Sequence, residues 1–403
     1  MIVLVINCGS SSIKYQLFRQ PSNESLASGL LERIGEGSST LIHKTSKGEH
    51  RIEGSISNHA KGMELILQTL TDPGIGVIKD ITEIRAVGHR VVHGGEAYSG
   101  SVLLKDDVIR TIREYCDLAP LHNPPNLTGI EAATAVLPGV PQVAVFDTAF
   151  HQTIPERAYL YALPYEYYEK YRIRRYGFHG TSHHYVAERA ASMLGRDFSE
   201  LNCITCHLGN GCSITAVRNG KSVDTSMGLT PLEGVAMGTR SGDIDPYIIF
   251  HLLNKENGND PRQINNILQK KSGLLGVSGI SNDMRTLAAA AEKGHRRARL
   301  AIDIFNYRIR KYVGAYMAVL GRVDAIVFTG GIGENNAAVR HEVLSGLEAF
   351  GVELDDAKNN APASGERDIA GAKSRTRILV IPTDEEGYIA KEAYRVGLAG
   401  KAP

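Results

Sequence analysis

The chain has 403 residues, of which 42% are hydrophobic and 22% are charged, and its formal net charge is +1. A single hydrophobic core stops growing at about 250–300 residues, so this length predicts two domains. The near-neutral charge disfavours a protein that binds nucleic acid or anionic membranes, and no run of about 18 apolar residues that could span a bilayer is present.

The N-terminal residues 1–7 are apolar but lack the basic segment that begins a signal peptide, so they are interpreted as a buried strand of an unexported protein. The chain has five cysteines: Cys8, Cys116, Cys203, Cys206 and Cys212. An odd count without a secretory signal indicates reduced thiols and a cytoplasmic protein. The Cys203-x-x-Cys206 spacing can mark a redox or metal site. However, it lies in a predicted strand, where residues three apart face opposite sides, and no second pair follows at zinc-ribbon spacing. Buried structural cysteines are therefore favoured.

The first half of the chain begins with strand patterns and continues with alternating helices and strands. Residues 3–6 and 13–18 flank a Gly/Ser turn and predict a hairpin. Further strands are predicted at residues 26–34, 40–44, 50–54, 86–89 and 143–146, and helices at residues 59–70, 106–116 and 126–137. The alternation predicts an α/β domain with a largely parallel core.

The second half repeats this plan. A strand at residues 202–207 is followed by a Gly-Asn-Gly-Cys turn and a returning strand at 213–217, and Asn219-Gly220 indicates a tight hairpin. Helices are predicted at residues 247–255, 261–271 and 297–320, strands at 324–328 and 377–381, and a closing helix at 385–398. Asp260 is the predicted N-cap of the second of these helices. The repeated strand–turn–strand pattern indicates an internal duplication, with a cleft between two lobes and a linker near residues 147–155.

Six apolar strands run directly into polar or glycine-rich segments. These segments begin at Asn7, Arg90, Asp147, His207, Thr329 and Pro382. In open α/β sheets, ligands bind outside the carboxyl ends of the strands. Glycine lets the backbone approach an oxyanion closely, so the segments predict a phosphate site, although residues 330–333 alone could equally be a structural turn. The P-loop pattern GxxxxGK[ST] and the protein-kinase signatures are missing from the sequence.

Arg90 and Arg240 lie in glycine-rich loops rather than on helix faces. Each alone is compatible with a solvated surface, yet a guanidinium fork is what bidentate recognition of phosphate or carboxylate requires. His179 and His183 are four residues apart and could ligate a metal. Because His179 precedes the predicted helix N-cap, Thr181 or Ser182, the two rings are not expected on one face, and metal ligation is disfavoured.

Four segments, residues 5–14, 175–183, 224–234 and 238–243, closely resemble the acetate kinase family, and the resemblance extends from residue 1 to the closing helix. It implies two duplicated ribonuclease-H-like α/β domains of the acetate/sugar kinase, Hsp70 and actin type, with a cleft between them, usually in a homodimer. The first domain would comprise residues 1–147 and 384–403. The second, residues 148–383, would carry most of the nucleotide site.

The resemblance also implies roles for individual residues. The catalytic residues would be Asp147, His179, Arg240 and Arg90. Acetate would contact Arg90, Val92, Leu121, Phe178 and Pro231. ATP or ADP would contact Ser10, Ser12, Lys14, His207, Leu208, Gly209, Asn210, Gly211, Asp283, Met284, Arg285, Gly330, Gly331, Ile332, Gly333 and Glu334. Mg²⁺, for which Mn²⁺ could substitute, would lie near Asn7 and Glu385.

The implied reaction is reversible, direct in-line transfer of the ATP γ-phosphoryl group to acetate, which yields acetyl phosphate and ADP. A carboxylate with a pKa near that of Glu, about 4.3, is already ionised at pH 7, so Asp147 is expected to orient groups and support the metal rather than accept a proton. Val92 suggests acetate over propionate, although one methylene is worth only about 1–3 kcal/mol. The alternatives are a propionate or other short-chain carboxylate kinase, and an Hsp70- or actin-like ATP-driven switch.

Overall fold

The computed structural model describes residues 1–120, 122–255 and 260–398. The chain divides into two compact units, Met1–Gln152 with the segment from Asp384 onward, and Thr153–Thr383. Within the described ranges, none of the helices combines the length and the apolar character needed to cross a bilayer.

The described residues form two groups of elements, strands and helices. The strands are β1 (Ile2–Cys8), β2 (Ser12–Arg19), β3 (Glu24–Glu32), β4 (Ser39–Thr45), β5 (Gly48–Gly54), β6 (Ile84–Val91), β7 (Val102–Leu103), β8 (Gln142–Phe146), β9 (Cys203–Leu208), β10 (Cys212–Arg218), β11 (Lys221–Thr225), β12 (Ala325–Thr329), β13 (Arg367–Asp368) and β14 (Arg377–Val380). The helices are α1 (His59–Thr71), α2 (Asp106–Glu114), α3 (Asn123–Val136), α4 (Glu156–Tyr159), α5 (Glu166–Tyr171), α6 (Gly180–Met193), α7 (Tyr247–Lys255), α8 (Pro261–Lys270), α9 (Gly273–Ser278), α10 (Met284–Glu292), α11 (Arg296–Leu320), α12 (Gly330–Asn335), α13 (Ala337–Leu344), α14 (Asp356–Asn360) and α15 (Glu385–Gly397).

The first unit contains an eight-stranded sheet in the order β5-β4-β3-β2-β1-β6-β8-β7. Strand β1 is buried on both faces, which explains its unbroken apolar sequence. Leu4 and Ile6 pack in one hydrophobic cluster with residues of α1 and α3, whereas Val3 and Val5 pack with residues of α15. Only β1, β6 and β8 pair in parallel, and the remaining pairs are antiparallel, so the predicted largely parallel core is limited to three strands.

The second unit repeats this topology in a six-stranded sheet with the order β11-β10-β9-β12-β14-β13. As in the first unit, a hairpin, here β9–β10, lies beside a parallel set, here β9, β12 and β14. The shared order confirms the duplicated α/β architecture that the strand–turn–strand repeat predicted. The predicted hairpin at Asn219-Gly220 is also confirmed: both residues have positive φ, 51° and 71°, as a type I′ turn requires.

Two helices begin elsewhere than predicted. Helix α3 starts at Asn123 rather than at residue 126, because Pro124 and Pro125 fit a first turn, where the missing N–H groups are not needed. Helix α6 starts at Gly180, so its N-cap is His179 and not Thr181 or Ser182. His179 adopts the left-handed conformation with φ 57°, which side-chain propensities do not predict.

The structural interpretation of the cysteines is confirmed. All five carry free thiols, and Cys203 and Cys206 are fully buried on β9. Burial raises the pKa of both thiols well above the ordinary value. These two cysteines are therefore inert core residues.

Candidate active site

In the first unit, the turn between β1 and β2 presents small polar residues at the carboxyl end of a buried strand. Asn7 pairs with Lys14 across the hairpin. The N–H of Gly9 donates to the Ser12 carbonyl over 2.9 Å, and a Cβ at Gly9 would lie 2.8 Å from Ser12 Oγ. A side chain at position 9 would therefore crowd the Ser12 hydroxyl, and Ser10 lies between these two residues in the turn. The Lys14 ammonium pairs with the Glu386 carboxylate at the start of α15.

Arg90 and Asp147 form a two-pronged ion pair at the ends of the parallel strands β6 and β8. The Nε of Arg90 donates to Asp147 Oδ1 over 3.2 Å, and its Nη2 donates to Oδ2. The Asp147 side chain is 2% exposed and that of Arg90 is 23% exposed. Burial works against the charge of Arg90, but Asp147 and Glu385 outweigh it and raise the arginine's pKa. Both oxygens of Asp147 thus orient Arg90, whose Nη1 has no partner in the described part of the chain.

Glu385, the first residue of α15, is half-buried, and one of its carboxylate oxygens is buried and unsatisfied. Its Oε1 has no hydrogen-bond partner among the described residues. Burial raises the pKa of Glu385 to about 7, against the opposing effect of Arg90 and with a further contribution from Asp147. A carboxylate oxygen without a hydrogen-bond partner is suited to coordinating a cation.

The donor set of the first unit fits Mg²⁺ only together with a nucleotide. Groups of three or more His, Cys, Asp or Glu side chains that could hold a metal are absent from residues 1–120, 122–255 and 260–398. Mg²⁺ usually takes one or two carboxylates and completes its shell with phosphate oxygens and waters. The Glu385 carboxylate and the side-chain amide of Asn7, both in the first unit, are oxygen ligands of the type that this arrangement needs, for Mn²⁺ as for Mg²⁺.

In the second unit, a histidine and an arginine approach the same space above Gly211. A methyl group built on Gly211 would lie 3.5 Å from His179 Nε2 and 3.6 Å from Arg240 Nη1. The Nδ1 of His179 lies 2.8 Å from Ser213 Oγ, and its ring stacks on His207 with the centroids 4.3 Å apart. A side chain at position 211 would occupy the space that these two cationic or donor groups share.

Arg240 differs from Arg90 in having no carboxylate partner in the described ranges. Among the described residues, the one hydrogen bond of its side chain is a long contact of 3.5 Å from Nη1 to the Pro231 carbonyl. Burial lowers the pKa of Arg240 because no carboxylate offsets the loss of hydration. A half-buried cation of this kind is suited to an anionic ligand.

A cavity of about 500 Å³ opens beside the β9–β10 turn. It is lined by Gly209, Asn210, Asn282, Asp283, Met284, Arg285, Gly331, Ile332, Asn335 and Asn336. Seven of these were predicted to contact ATP. The three asparagines, Asn282, Asn335 and Asn336, were not predicted. Asn282 directly precedes Asp283, and Asn335 and Asn336 directly follow the Gly-Gly-Ile-Gly-Glu segment, so their positions in the sequence could have indicated polar contacts with the nucleotide.

The other second-unit residues predicted at the nucleotide are close in sequence to the lining residues but do not line this cavity. His207 and Leu208 lie on β9, and Gly211 lies beneath His179. Gly330 has φ 74°, and a Cβ there would lie 2.8 Å from the Leu208 carbonyl, so glycine is required. Glu334 Oε1 accepts from the N–H groups of Gly330 and Thr383, which holds the start of α12 in place. Segment 330–333 is thus the first turn of a short helix, with Gly333 buried in it.

The apolar residues predicted to contact acetate are mostly buried within their own units. Val92, in the first unit, is 7% exposed, and its N–H donates to Asn126 Oδ1 over 3.1 Å. Phe178 is 3% exposed and Pro231 is half-buried in the second unit. Leu121 lies outside the described residues.

Comparison with known proteins identifies the family. The acetokinase family model matches residues 2–391. The acetate kinase of Natranaerobius thermophilus is 55% identical over 402 residues, which cover 100% of both chains. The crystal structure of Porphyromonas gingivalis acetate kinase superposes with a TM-score of 0.95 at 47% identity, covering 98% of this chain and 99% of that one. A propionate kinase from Francisella tularensis superposes with a TM-score of 0.91 at 45% identity over the same shares.

The agreement between loop geometry, sheet topology and full-length similarity shows that this chain belongs to the acetokinase family, kinases that transfer phosphate to a carboxylate.

Proposed function

We propose that this protein is an acetate kinase, which transfers the γ-phosphoryl group of ATP to acetate and forms acetyl phosphate and ADP in a reversible reaction. The observation that carries the proposal is the convergence of His179 Nε2 and the uncompensated Arg240 above Gly211. A half-buried cation without a carboxylate partner in the described ranges, beside a hydrogen-bond donor, is suited to a phosphoryl group in transfer.

Charge stabilisation is the main task of such a site, because acetate is an anion that attacks an anionic phosphate. Arg90 and Arg240 would offset this repulsion, and His179 would donate to an equatorial oxygen of the transferring group. Acetate is already ionised at neutral pH, so no general base is needed. Both oxygens of Asp147 accept from Arg90, which supports an orienting role for this carboxylate.

Asn7 and Glu385 would hold Mg²⁺, with Mn²⁺ able to substitute. When bound, the metal would neutralise charge on the β- and γ-phosphates. Ser10, Ser12 and Lys14 would contact the phosphates, and the 500 Å³ cavity beside Asn210 and Asp283 would take the adenosine moiety. Met284, Arg285, Gly331 and Ile332 line the same cavity.

Acetate is the proposed acceptor because Val92 limits the room for a longer acid, and propionate is the second candidate. The similarity to the propionate kinase from Francisella tularensis supports considering it, since the fold alone does not separate the two acids. One methylene in an apolar pocket changes the transition-state free energy that determines kcat/KM by about 1–3 kcal/mol, so some propionate turnover is expected.

We further propose that the enzyme is a cytoplasmic homodimer. The five free thiols support a reducing compartment. Tyr247 and Phe250 on α7, 68% and 58% exposed, supply apolar surface that a second copy could cover.

The purified protein would be incubated with Mg-ATP, hydroxylamine and acetate, propionate or butyrate, and acyl hydroxamate would be measured. The expected result is strong signal with acetate that falls with each added methylene. Equal efficiency with acetate and propionate would overturn the substrate assignment. Hydrolysis of ATP without any acid, and no hydroxamate, would instead favour a nucleotide-driven switch.

A further inference from the structure

His179 is the end of a chain of hydrogen bonds that runs through buried side chains of the second unit. Thr205 Oγ1 lies 2.7 Å from His183 Nδ1, and His183 Nε2 lies 2.7 Å from Ser213 Oγ. Ser213 Oγ in turn lies 2.8 Å from His179 Nδ1. Thr205, His183 and Ser213 are all completely buried. The remaining ring nitrogen of His179, Nε2, is the atom beside the space above Gly211.

The directions of these three bonds depend on one another. The Ser213 hydroxyl has a single hydrogen, and a neutral imidazole carries one N–H and one acceptor nitrogen. If Thr205 donates to His183, then His183 donates from Nε2 to Ser213 and Ser213 donates to Nδ1 of His179. In this direction the proton of His179 lies on Nε2. In the reverse direction it lies on Nδ1, and Nε2 presents a lone pair.

Satisfaction of the Thr205 hydroxyl selects between the two directions. Its oxygen makes no hydrogen bond to any described residue other than His183. In the reverse direction Thr205 would be an acceptor only, and its buried O–H would have no acceptor of its own. Leaving a buried donor unsatisfied is costly, whereas the forward direction satisfies every donor as far as His179.

We propose that Thr205, His183 and Ser213 are positioning residues that hold His179 in the Nε2–H tautomer, so that it donates to the transferring phosphoryl group. This inference rests on the role proposed above for His179. A phosphoryl oxygen only accepts hydrogen bonds. In the Nδ1–H tautomer, the lone pair of His179 Nε2 would face the lone pairs of that oxygen, and no hydrogen bond could form.

A second hydroxyl holds the neighbouring ring. Ser182 Oγ lies 2.8 Å from both His207 Nδ1 and Thr383 Oγ1, and His207 stacks on His179. The imidazole of His179 is therefore fixed at its Nδ1 edge by Ser213 and on one face by His207. The hydrogen-bonded chain of Thr205, His183 and Ser213, here called the relay, sets the position of the proton on His179. The stacking on His207 sets the plane of the His179 ring.

The test combines nitrogen NMR of the histidine rings with steady-state kinetics on the full-length protein. The variants are Thr205→Val, which removes the terminal donor with little change in shape, and Ser213→Ala, which removes the link. The matched control is Thr215→Val on β10, which removes a buried hydroxyl that bonds Thr225 Oγ1 over 2.8 Å and makes no hydrogen bond to a histidine of the described ranges. His179→Asn assigns the His179 signals.

We expect His179 of the wild type to show the Nε2–H pattern. Both relay variants should show an increased Nδ1–H population, and their kcat should fall about tenfold while KM for ATP changes less than about twofold. This loss is smaller than the about 10²–10³ typical of removing a donor outright, because the ring stays in place. Thr215→Val should keep both the tautomer and kcat.

Unchanged tautomer and kcat in Thr205→Val and Ser213→Ala would overturn the relay. If Ser213→Ala does not fold, Thr205→Val decides alone. Absence of acetyl phosphate with the wild type would refute the proposed function instead, and the NMR comparison would still decide the relay.

Discussion

Replacing Glu385 by Gln should make the protein more stable at alkaline pH and at the same time less active. The Glu385 side chain is half-buried, one of its carboxylate oxygens is buried without a partner among the described residues, and Asp147 contributes a like charge. Glutamine has nearly the same shape but no charge, so it removes the cost of burying an anion.

The magnitude follows from the pKa of Glu385, which is raised from 4.5 to about 7. Below about pH 4.5 the group is protonated in both the folded and unfolded states, and it contributes no difference. Between 4.5 and 7 the unfolded chain ionises first, so the free energy of unfolding falls as pH rises. Since one pKa unit corresponds to about 1.36 kcal/mol, the loss above pH 7 is at most ~3 kcal/mol. For a unit of this size each kcal/mol shifts Tm by about 2–4 °C.

The assay is thermal unfolding of the protein without Mg²⁺ and nucleotide at pH 5 and pH 8.5. Glu385→Gln should raise Tm by several degrees at pH 8.5 and by much less at pH 5. In the hydroxamate assay its rate should fall by at least about tenfold, because the proposed metal loses a charged ligand. The matched control is Glu386→Gln, which breaks a partly exposed pair with Lys14 and should change stability by less than about 1 kcal/mol. An equal Tm shift at both pH values, or a loss of stability at pH 8.5, would refute the reasoning.

Three further substitutions test the proposed roles of the loops. Asp147→Asn should lower kcat at least about tenfold because one of its two acceptor oxygens is lost, and raising the pH or adding small bases should not restore the rate. Arg240→Lys should lower kcat by about 10²-fold or more, since an ammonium cannot replace the fork, whereas Arg262→Lys, a 93% exposed control on α8, should change it little. Val92→Ala should raise the propionate-to-acetate ratio of kcat/KM by about tenfold, measured by competition in the hydroxamate assay.

Each of these has an outcome that would contradict it. Rescue of Asp147→Asn by base would show that this carboxylate accepts a proton. Equal effects at Arg240 and Arg262 would mean that the uncompensated charge of Arg240 is not used. An unchanged acid preference in Val92→Ala would remove Val92 from the acetate pocket.

Local sequence patterns were sufficient for most of the elements. The apolar run of β1, the Asn219-Gly220 turn, and Asp260 before Pro261 each predicted the observed structure, because strand burial, positive φ and N-capping depend on a few neighbouring residues. The start of α6 was missed because the N-cap position is occupied by His179, in the left-handed conformation, and not by the Thr181 or Ser182 hydroxyl that the sequence predicts there.

The sequence by itself predicted which residues would carry the chemistry, because the segments around His179 and Arg240 resemble one family and that resemblance implies a role for Arg90. Only the tertiary structure determined which charged partners these residues have and where the proton of His179 lies. It pairs Arg90 with Asp147, 57 positions away, and gives Arg240 no carboxylate partner in the part of the chain that the structure describes. It likewise connects Thr205, on β9, to His179, at the start of α6, through the buried side chains of His183 and Ser213. The charge and proton position of a side chain depend on neighbours that are brought together by the sheet and are distant along the chain, so no local pattern could reveal them.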